Sequence, residues 1–228
     1  TLALTGAGVS TDSGVPDFRS KNGLYSKVSP EIFNIEFFYR NPEEFYRINL
    51  PFIETFRQTK PNITHEVLAE MESRDLLKAV ITQNIDGLHE KAGSRHVLNC
   101  HGSYATFHCL QCRKAWQLDD FLCWYREHQH VCSCGGSIKP DVVLFGEPLT
   151  DDFEEAADLV DKCDFLMILG SSLVVYPVAG LAEQAVGKGV PVMIINRDPV
   201  PLGRMADNYQ GSLSEFSSLL RTRLLEVF

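Results

Sequence analysis

Four cysteines carry the plainest chemistry in this chain. Cys109 and Cys112 have two residues between them, Cys132 and Cys134 have one, and 19 residues separate the pairs. Each pair can place two thiolates on one side of a turn, and two such turns face to face make a tetrahedral sulfur cage that suits zinc. With all four positions taken by sulfur there is no open coordination site, so the ion would serve structure rather than catalysis. A rival ligand set has His108 or His130 replacing one cysteine, and free buried thiols are the bland alternative. Cys100, Cys123 and Cys163 read as plain core cysteines.

A second group lies at the start of the chain. Gly6-Ala7-Gly8 follows the apolar run Leu2-Ala3-Leu4, the way a strand delivers bare backbone N–H groups to a pyrophosphate. A hydride-transferring dinucleotide fold would continue with a third glycine and a long helix. Here Thr11 stands at that position, and Ser13-Gly14 and Pro16 stop any helix after about one turn. The turn runs instead into Asp17-Phe18-Arg19, a loop able to fold over the reactive end of a nucleotide. Alone, Gly-x-Gly after a strand is equally a tight turn in an α/β domain.

Other polar clusters end apolar runs. Gln83, Asn84, Ile85 and Asp86 follow Ala79–Thr82, where their side chains can hydrogen-bond a ribose or an amide, or simply cap the next helix. His101-Gly102 follows Val97-Leu98, and a histidine there is either a general base or a satisfied structural residue. Cys100 beside it points to the opposite face, so the two do not form a nucleophile pair. Asp141 to Glu147, Gly170-Ser171-Ser172-Leu173 and Asn196-Arg197 complete the set, and each alone could be a turn. Five strand ends with convergent polar residues call for a ligand.

The elements that must position these groups are short buried strands at Ala79–Thr82, Val97–Leu98, Val142–Phe145, Phe165–Leu169 and Val190–Ile195. Helices lie between them. Asn41-Pro42-Glu43-Glu44 starts one, Thr64 caps one reaching about Arg74, Thr150-Asp151-Asp152 opens one down to about Asp161, and Pro177 begins one through about Val186. Alternating strands and helices predict an α/β, Rossmann-like, doubly wound parallel sheet. Periodicity dissolves from Ser103 to Lys139, the cysteine-bearing stretch, which reads as a small module held by metal. The aromatic stretch Leu24–Asn62 reads as a helical insertion beside it. The expected division is 1–23, 63–102 and 140–228 for the sheet domain, 24–62 for the helical insertion and 103–139 for the zinc module.

The 228 residues are 44% hydrophobic and 22% charged, with a formal net charge of −9. That acidity argues against nucleic acid and suits a lysine-rich peptide. No apolar run reaches the roughly 18 residues of a membrane span, and no signal peptide is expected within these residues. The chain starts at Thr1 without Met, already inside a strand, so its natural N-terminus is expected to lie further upstream. An odd number of clustered cysteines fits metal in a reducing compartment, so a cytoplasmic location is expected.

Taken together the motifs resemble the sirtuins, the NAD-dependent protein-lysine deacylases, and most of all bacterial ones made of the catalytic core alone. The resemblance runs through GAGVSTDSGVPDFR, Gly23-Leu24-Tyr25, TQNIDGLH, His101-Gly102-Ser103, the four cysteines, Lys139-Pro140-Asp141 through Glu147, and GSSL with Val174-Val175. It implies removal of acetyl or another uncharged acyl group from lysine, giving nicotinamide, O-acetyl-ADP-ribose and free lysine. It further implies that Gly6, Ala7, Gly8 and Thr11 meet the NAD phosphates and that Phe18 and Arg19 close over the cofactor. Gln83, Asn84, Ile85 and Asp86 would form the ribose and nicotinamide pocket. His101 would be the general base, with Asn84 and Asp86 beside it. Gly170, Ser171, Ser172, Asn196 and Ser212 would hold the rest of the dinucleotide. Val143 and Phe145 would line the acyl-lysine tunnel. The peptide would add as a strand between the segments Gly146-Glu147 and Leu173–Tyr176, with Val174 among its contacts.

Sirtuins that read succinyl or malonyl groups share a Tyr-x-x-Arg pair. Here Tyr46 takes the first position and Asn49 the second, which removes the cationic fork a carboxylate favours. A monomer acting on acetylated proteins is expected. The rivals are an NAD-dependent mono-ADP-ribosyltransferase or NAD glycohydrolase, and a catalytically silent NAD-sensing scaffold.

Overall fold

The computed structural model describes residues 1–21 and 23–227. The first half of the chain runs β1 (Leu2–Thr5), a 3-10 helix (Ala7–Ser13), α1 (Ile35–Arg40), α2 (Pro42–Gln58), α3 (Ile63–Ser73), β2 (Ala79–Thr82), α4 (Leu88–Ala92) and β3 (Val97–Asn99). Then come β4 (Gly102–Cys109), β5 (Ala115–Gln117), α5 (Leu118–His128) and β6 (Ile138–Val142). The last part holds α6 (Asp152–Asp161), β7 (Leu166–Leu169), α7 (Ala179–Gly187), β8 (Val192–Asn196), β9 (Asp207–Gln210) and α8 (Leu213–Val227).

Six parallel strands form one sheet in the order β3-β2-β1-β7-β8-β9. The two-residue period of a strand divides its apolar residues between two cores. Leu2, Leu4, Ile81, Ile168 and Ile194 face α6 and α7, through Ala156, Val160, Ala182 and Ala185. Ala3, Val80, Met167 and Ile195 face α3 and α8, through Val67, Leu68, Met71 and Leu224. Burial on both faces is why these strands are continuous apolar runs, and each fully buried aliphatic contributes roughly 1.5–3 kcal/mol. The strand order reverses between β1 and β7, where the connections leave to opposite sides and open a crevice.

Gly6, Gly8 and Gly170 set the floor of that crevice. A Cβ on Gly8 would lie 2.8 Å from the Gly170 Cα, and one on Gly170, whose φ is +61°, 2.5 Å from the Val9 amide nitrogen. Only glycines let the two turns touch. The 3-10 helix after them spans seven residues, longer than the single turn expected, and stops where Gly14 turns left-handed at φ 89°.

A second, antiparallel sheet of order β5-β4-β6 carries the cysteines. It shares one core with the helical insertion: Phe107 stacks on Phe121 at 3.9 Å, and Phe38, Phe45 and Tyr46 pack into the same cluster.

Several expectations are corrected here. The strand expected at Val142–Phe145 is Ile138–Val142, and it belongs to the antiparallel sheet. Phe145, 46% exposed, lies in the loop beyond it. Asn62, not Thr64, caps α3, accepting from the Thr64 amide at 2.9 Å. Asn41 precedes α2 but makes no side-chain cap. Cys100 is buried, whereas Cys123 is exposed on α5 and Cys163 half-buried.

Candidate active site and metal centre

A cavity of about 980 Å³ occupies the crevice. Its floor is Gly6, Ala7, Gly8 and Thr11 from the turn after β1, with Gly170, Ser171 and Ser172 from the turn after β7. Gln83, Asn84 and Ile85 after β2, and His101 between β3 and β4, form one end, while Asn196 and Ser212 form the other. Phe18 and Arg19 cover it, and Val143, Phe145, Gly146 and Glu147 make its outer wall. Among the residues expected from the sequence, Asp86 and Val174 do not line it. Val174 is 48% exposed beside Val175, which does, and Asp86 stands behind Ser10.

The backbone of the glycine turn is largely committed. Gly6 and Gly8 donate to the Leu169 and Gly170 carbonyls at 3.1 and 2.9 Å, which ties the two turns together. Ala7 opens the 3-10 helix, and among the described residues its amide has no partner. Gln83 spans the crevice floor, its Nε2 donating to Ser171 Oγ at 2.9 Å.

His101 has a defined tautomer. Its Nδ1 lies 3.1 Å from the Gln83 carbonyl oxygen, which can only accept, so Nδ1 carries the proton and Nε2 the lone pair. Burial lowers its pKa below 6.5, and the Gln83 carbonyl opposes that in part, so the ring is neutral and basic at pH 7. Asn84 donates from Nδ2 to Ser10 Oγ at 3.1 Å and keeps its Oδ1 without a partner among the described residues. Asp86 has both oxygens engaged: Oδ2 accepts from Ser10 at 2.7 Å and Oδ1 from the Leu88 amide at 2.9 Å. Its burial raises the pKa, and those two hydrogen bonds counter the rise.

The covering loop is held by rings. Phe18, Tyr25 and Phe33 form a triangle with centroids 5.6, 6.4 and 6.1 Å apart, and the Arg19 guanidinium lies over Tyr25 at 5.6 Å. Tyr25, Phe33 and Tyr104 line the cavity without having been singled out as site residues. Tyr25 and Phe33 lie in the aromatic stretch Leu24–Asn62, and Tyr25 also in a motif of the resemblance, whereas no signal in the sequence marked Tyr104. Tyr46, expected at the acyl-reading position, is fully buried, and its hydroxyl donates to the Ile138 carbonyl. Asn49 is buried under Tyr104, whose hydroxyl lies 3.5 Å from Asn49 Oδ1, and neither Tyr46 nor Asn49 lines the cavity. The permanent cations among the described lining residues are Arg19 and Arg197.

The outer wall is braced from inside. Glu147 turns its carboxylate inward to the 4%-exposed Lys139 at 2.9 Å and accepts the Leu144 amide at 2.9 Å. Lys139 Nζ also donates to the Val142 carbonyl at 2.7 Å. A buried pair of this kind gains little net stability, but it fixes the shape of the loop from Val143 to Glu147.

The cysteines converge. The Sγ atoms of Cys109, Cys112, Cys132 and Cys134 lie within 4.8 Å of one another, with Cys109–Cys134 at 3.5 Å and Cys112–Cys132 at 3.7 Å. Tetrahedral zinc with bonds of about 2.3 Å requires sulfurs about 3.8 Å apart, so the four fit the ion. Burial opposes the Cys109 thiolate, yet the Cys112 and Gln111 amides and the adjacent thiols hold its pKa down to about 6. The Gly136 amide favours the Cys134 thiolate, but the other three sulfurs push its pKa up to about 12. Four thiolates cannot share this space without a cation. The cluster is complete with the four sulfurs, and neither His108 nor His130 belongs to it, which disfavours the rival ligand set.

A model of the Sir2 family matches residues 6–177, from the first glycine of the crevice to the cis proline after Tyr176. The chain belongs to the Sir2 family. The NAD-dependent protein deacetylase of Thermotoga maritima is 42% identical over 221 residues, covering 95% of this chain and 90% of its own. NAD-dependent protein deacetylase 1 of Geobacillus kaustophilus is 39% identical over 232 residues, covering 100% of this chain and 94% of its own. Among solved structures, a Sir2 variant with deacetylated p53 peptide and 3'-O-acetyl ADP ribose superposes with a TM-score of 0.93 at 40% identity, over 97% of this chain and 92% of that one. A Sir2 complex with p53 peptide and NAD+ gives a TM-score of 0.91 at 39% identity, over 99% and 93%.

Proposed function

We propose that the chain is an NAD-dependent protein-lysine deacetylase in which His101 is the general base. The observation that carries this role is the Gln83 carbonyl on His101 Nδ1, which leaves Nε2 free to accept a proton on a residue lining the cavity. NAD, as co-substrate, supplies a ribose carbon that takes the acetyl oxygen as nicotinamide leaves. His101 then removes a proton from a ribose hydroxyl, and water completes release of lysine and O-acetyl-ADP-ribose.

The other assignments follow the geometry. The unpartnered Ala7 amide, with Thr11, Gly6 and Gly8 around it, supports a pyrophosphate site at the start of the 3-10 helix. Asn84 Oδ1 is placed to accept from a water, a ribose hydroxyl or a carboxamide, whereas Asp86 is a positioning residue acting through Ser10. Phe18 and Arg19 exclude water from the reactive carbon, since early hydrolysis would waste NAD. Gly170, Ser171, Ser172, Asn196 and Ser212 hold the rest of the dinucleotide.

The acetylated peptide binds as an added strand between Gly146 and Val174. In support, neither residue's backbone N–H or C=O has an intramolecular partner among the described residues, whereas Phe145 is already tied to Phe33 and Ile35. Val143 and Phe145 line the lysine tunnel. The three units expected from the sequence, 1–23 with 63–102 and 140–228, then 24–62, then 103–139, act as cofactor domain, lid and zinc brace. The enzyme works as a monomer in the cytoplasm, where a reducing milieu preserves the thiolate cage. Among the described residues no helix is long and apolar enough to cross a membrane.

Mass spectrometry of an acetyl-lysine peptide with and without NAD tests the reading. Acetyl loss that requires NAD and yields O-acetyl-ADP-ribose is expected. NAD consumption over an untouched peptide would replace it with the transferase or glycohydrolase.

A further inference from the structure

Asn84 is held by a closed circuit of buried polar side chains, none of which lines the cavity. Its Nδ2 donates to Ser10 Oγ at 3.1 Å, and its backbone amide donates to Thr82 Oγ1 at 3.0 Å. Behind Thr82, Thr5 Oγ1 donates to Thr82 at 2.9 Å and meets His89 Nε2 at 3.0 Å. The His89 ring lies against the His65 ring, centroids 4.8 Å apart, and His65 Nε2 returns to Ser10 Oγ at 3.4 Å. Thr5, Ser10 and His65 are fully buried, and Thr82 and His89 are within 2% of it.

The proton inventory fixes the direction of the links at Ser10. A hydroxyl has one proton and two lone pairs. The Ser10 proton goes to Asp86 and one lone pair takes Asn84, so the second lone pair is open to an N–H. His65 supplies it: its Nδ1 accepts the Asn62 amide at 3.3 Å, which places the ring proton on Nε2, toward Ser10. Asn62 grips the same 3-10 helix, donating to the Val9 carbonyl at 2.8 Å and to Ser13 Oγ at 2.9 Å. The first turn of α3 therefore holds both the backbone and the hub of the segment on which Asn84 and Asp86 depend.

We propose that His65, with His89 behind it, is a positioning residue for the reaction: a neutral Nε2–H donor that orients Ser10, and through Ser10 the Asn84 carboxamide. This rests on the role given to Asn84 above. His65 touches neither cofactor nor peptide. Its loss acts on the rate of nicotinamide release and leaves the peptide KM unchanged, because no residue of α3 lines the cavity.

The test compares His65→Gln, whose amide N–H can reach the same point, with His65→Leu, which cannot donate. Nicotinamide release with acetyl-lysine peptide should fall about tenfold or more in the leucine variant, the usual cost of leaving a buried acceptor unmade, and recover most of that in the glutamine variant. The side-chain amide of Asn84, followed by 15N NMR, should shift in the leucine variant and return toward wild type in the glutamine one. Thr5→Val, which breaks the far side of the circuit at constant shape, should act in the same direction if His65→Leu does not fold. Equal rates in the leucine and glutamine variants, with the Asn84 resonance unmoved, would overturn the proposal. An Asn84 resonance that moves as expected in a protein inert toward NAD would sustain the positioning role and overturn the deacetylase assignment instead.

Discussion

At the scale of single residues, the proposed role of His101 depends on where one proton sits. The Gln83 carbonyl holds it on His101 Nδ1, and burial keeps the ring neutral. A base whose pKa is depressed is competent above that pKa and is lost as pH falls through it. The acid limb of kcat/KM is therefore expected below pH 6.5, and a limb at 7 or above would show that another group controls the profile. His101→Ala should lower deacetylation by about 10²- to 10⁴-fold with little change in peptide or NAD binding, as read by steady-state kinetics and calorimetry. Near-normal turnover in that variant removes His101 from its role. Acyl choice is also decided by individual side chains. Tyr46 is turned into the core and Asn49 lies beneath Tyr104, so this pair offers no cationic fork to the wall built by Val143 and Phe145. Acetyl should leave the same peptide at least about tenfold faster than succinyl, a margin typical of an unmatched buried charge. Competition between the two peptides in one reaction checks this, and faster loss of succinyl sinks it.

At the scale of elements, the zinc cage is a brace for more than its own sheet. β4 and β6 carry Phe107 and Ile138 into a core that also holds Phe38, Phe45 and Tyr46 of the helical insertion. Arg57 of α2 pairs with Asp119 of α5 across the same boundary. One zinc per chain is expected in protein purified without chelator. Removing it should loosen the antiparallel sheet and the insertion together, while the six-stranded sheet, with its two separate cores, keeps its amide protection. Hydrogen exchange before and after chelation measures this, and uniform protection across both sheets would speak against a bracing role. The cysteine spacing, the glycine turn and the buried tetrads of the parallel sheet were legible in the sequence because each is a local pattern with one physical use. β4 was not, because a register shift between Gly102 and Phe107 breaks its alternation. Nor was β9, Asp-Asn-Tyr-Gln, a polar edge strand with Tyr209 alone turned toward the core. The commitment of the Gly6 and Gly8 amides to the β7 turn, and of Asp86 to Ser10, escaped notice for another reason. Each partner is distant in sequence, and nothing in either segment names it.

At the scale of the whole molecule, the parallel sheet gathers the loops after β1, β2, β7 and β8 at one end, and the second lobe closes over them. The residues that bear on the joint from behind include two fully sequestered histidines, which makes global stability respond to pH through the same circuit that holds Asn84. Desolvation lowers the pKa of His65 to about 4, and desolvation with the neighbouring His65 lowers that of His89 to about 3. In the unfolded chain both titrate near 6.5. Between these limits the unfolded state binds more protons than the folded one. The contribution of each neutral ring is therefore complete above pH 6.5 and is lost as pH falls through about 4 for His65 and about 3 for His89. For His65 alone the full loss is on the order of 3 kcal/mol, a large share of the stability of an ordinary domain. Urea midpoints measured from pH 7.5 to 4.5 should fall along this slope. In His65→Gln, which keeps the donor but cannot be protonated, the slope should be shallower, with little change in midpoint at pH 7.5. Parallel slopes for the two proteins would mean that the rings are hydrated or charged in the folded state, and the buried circuit would lose its physical basis.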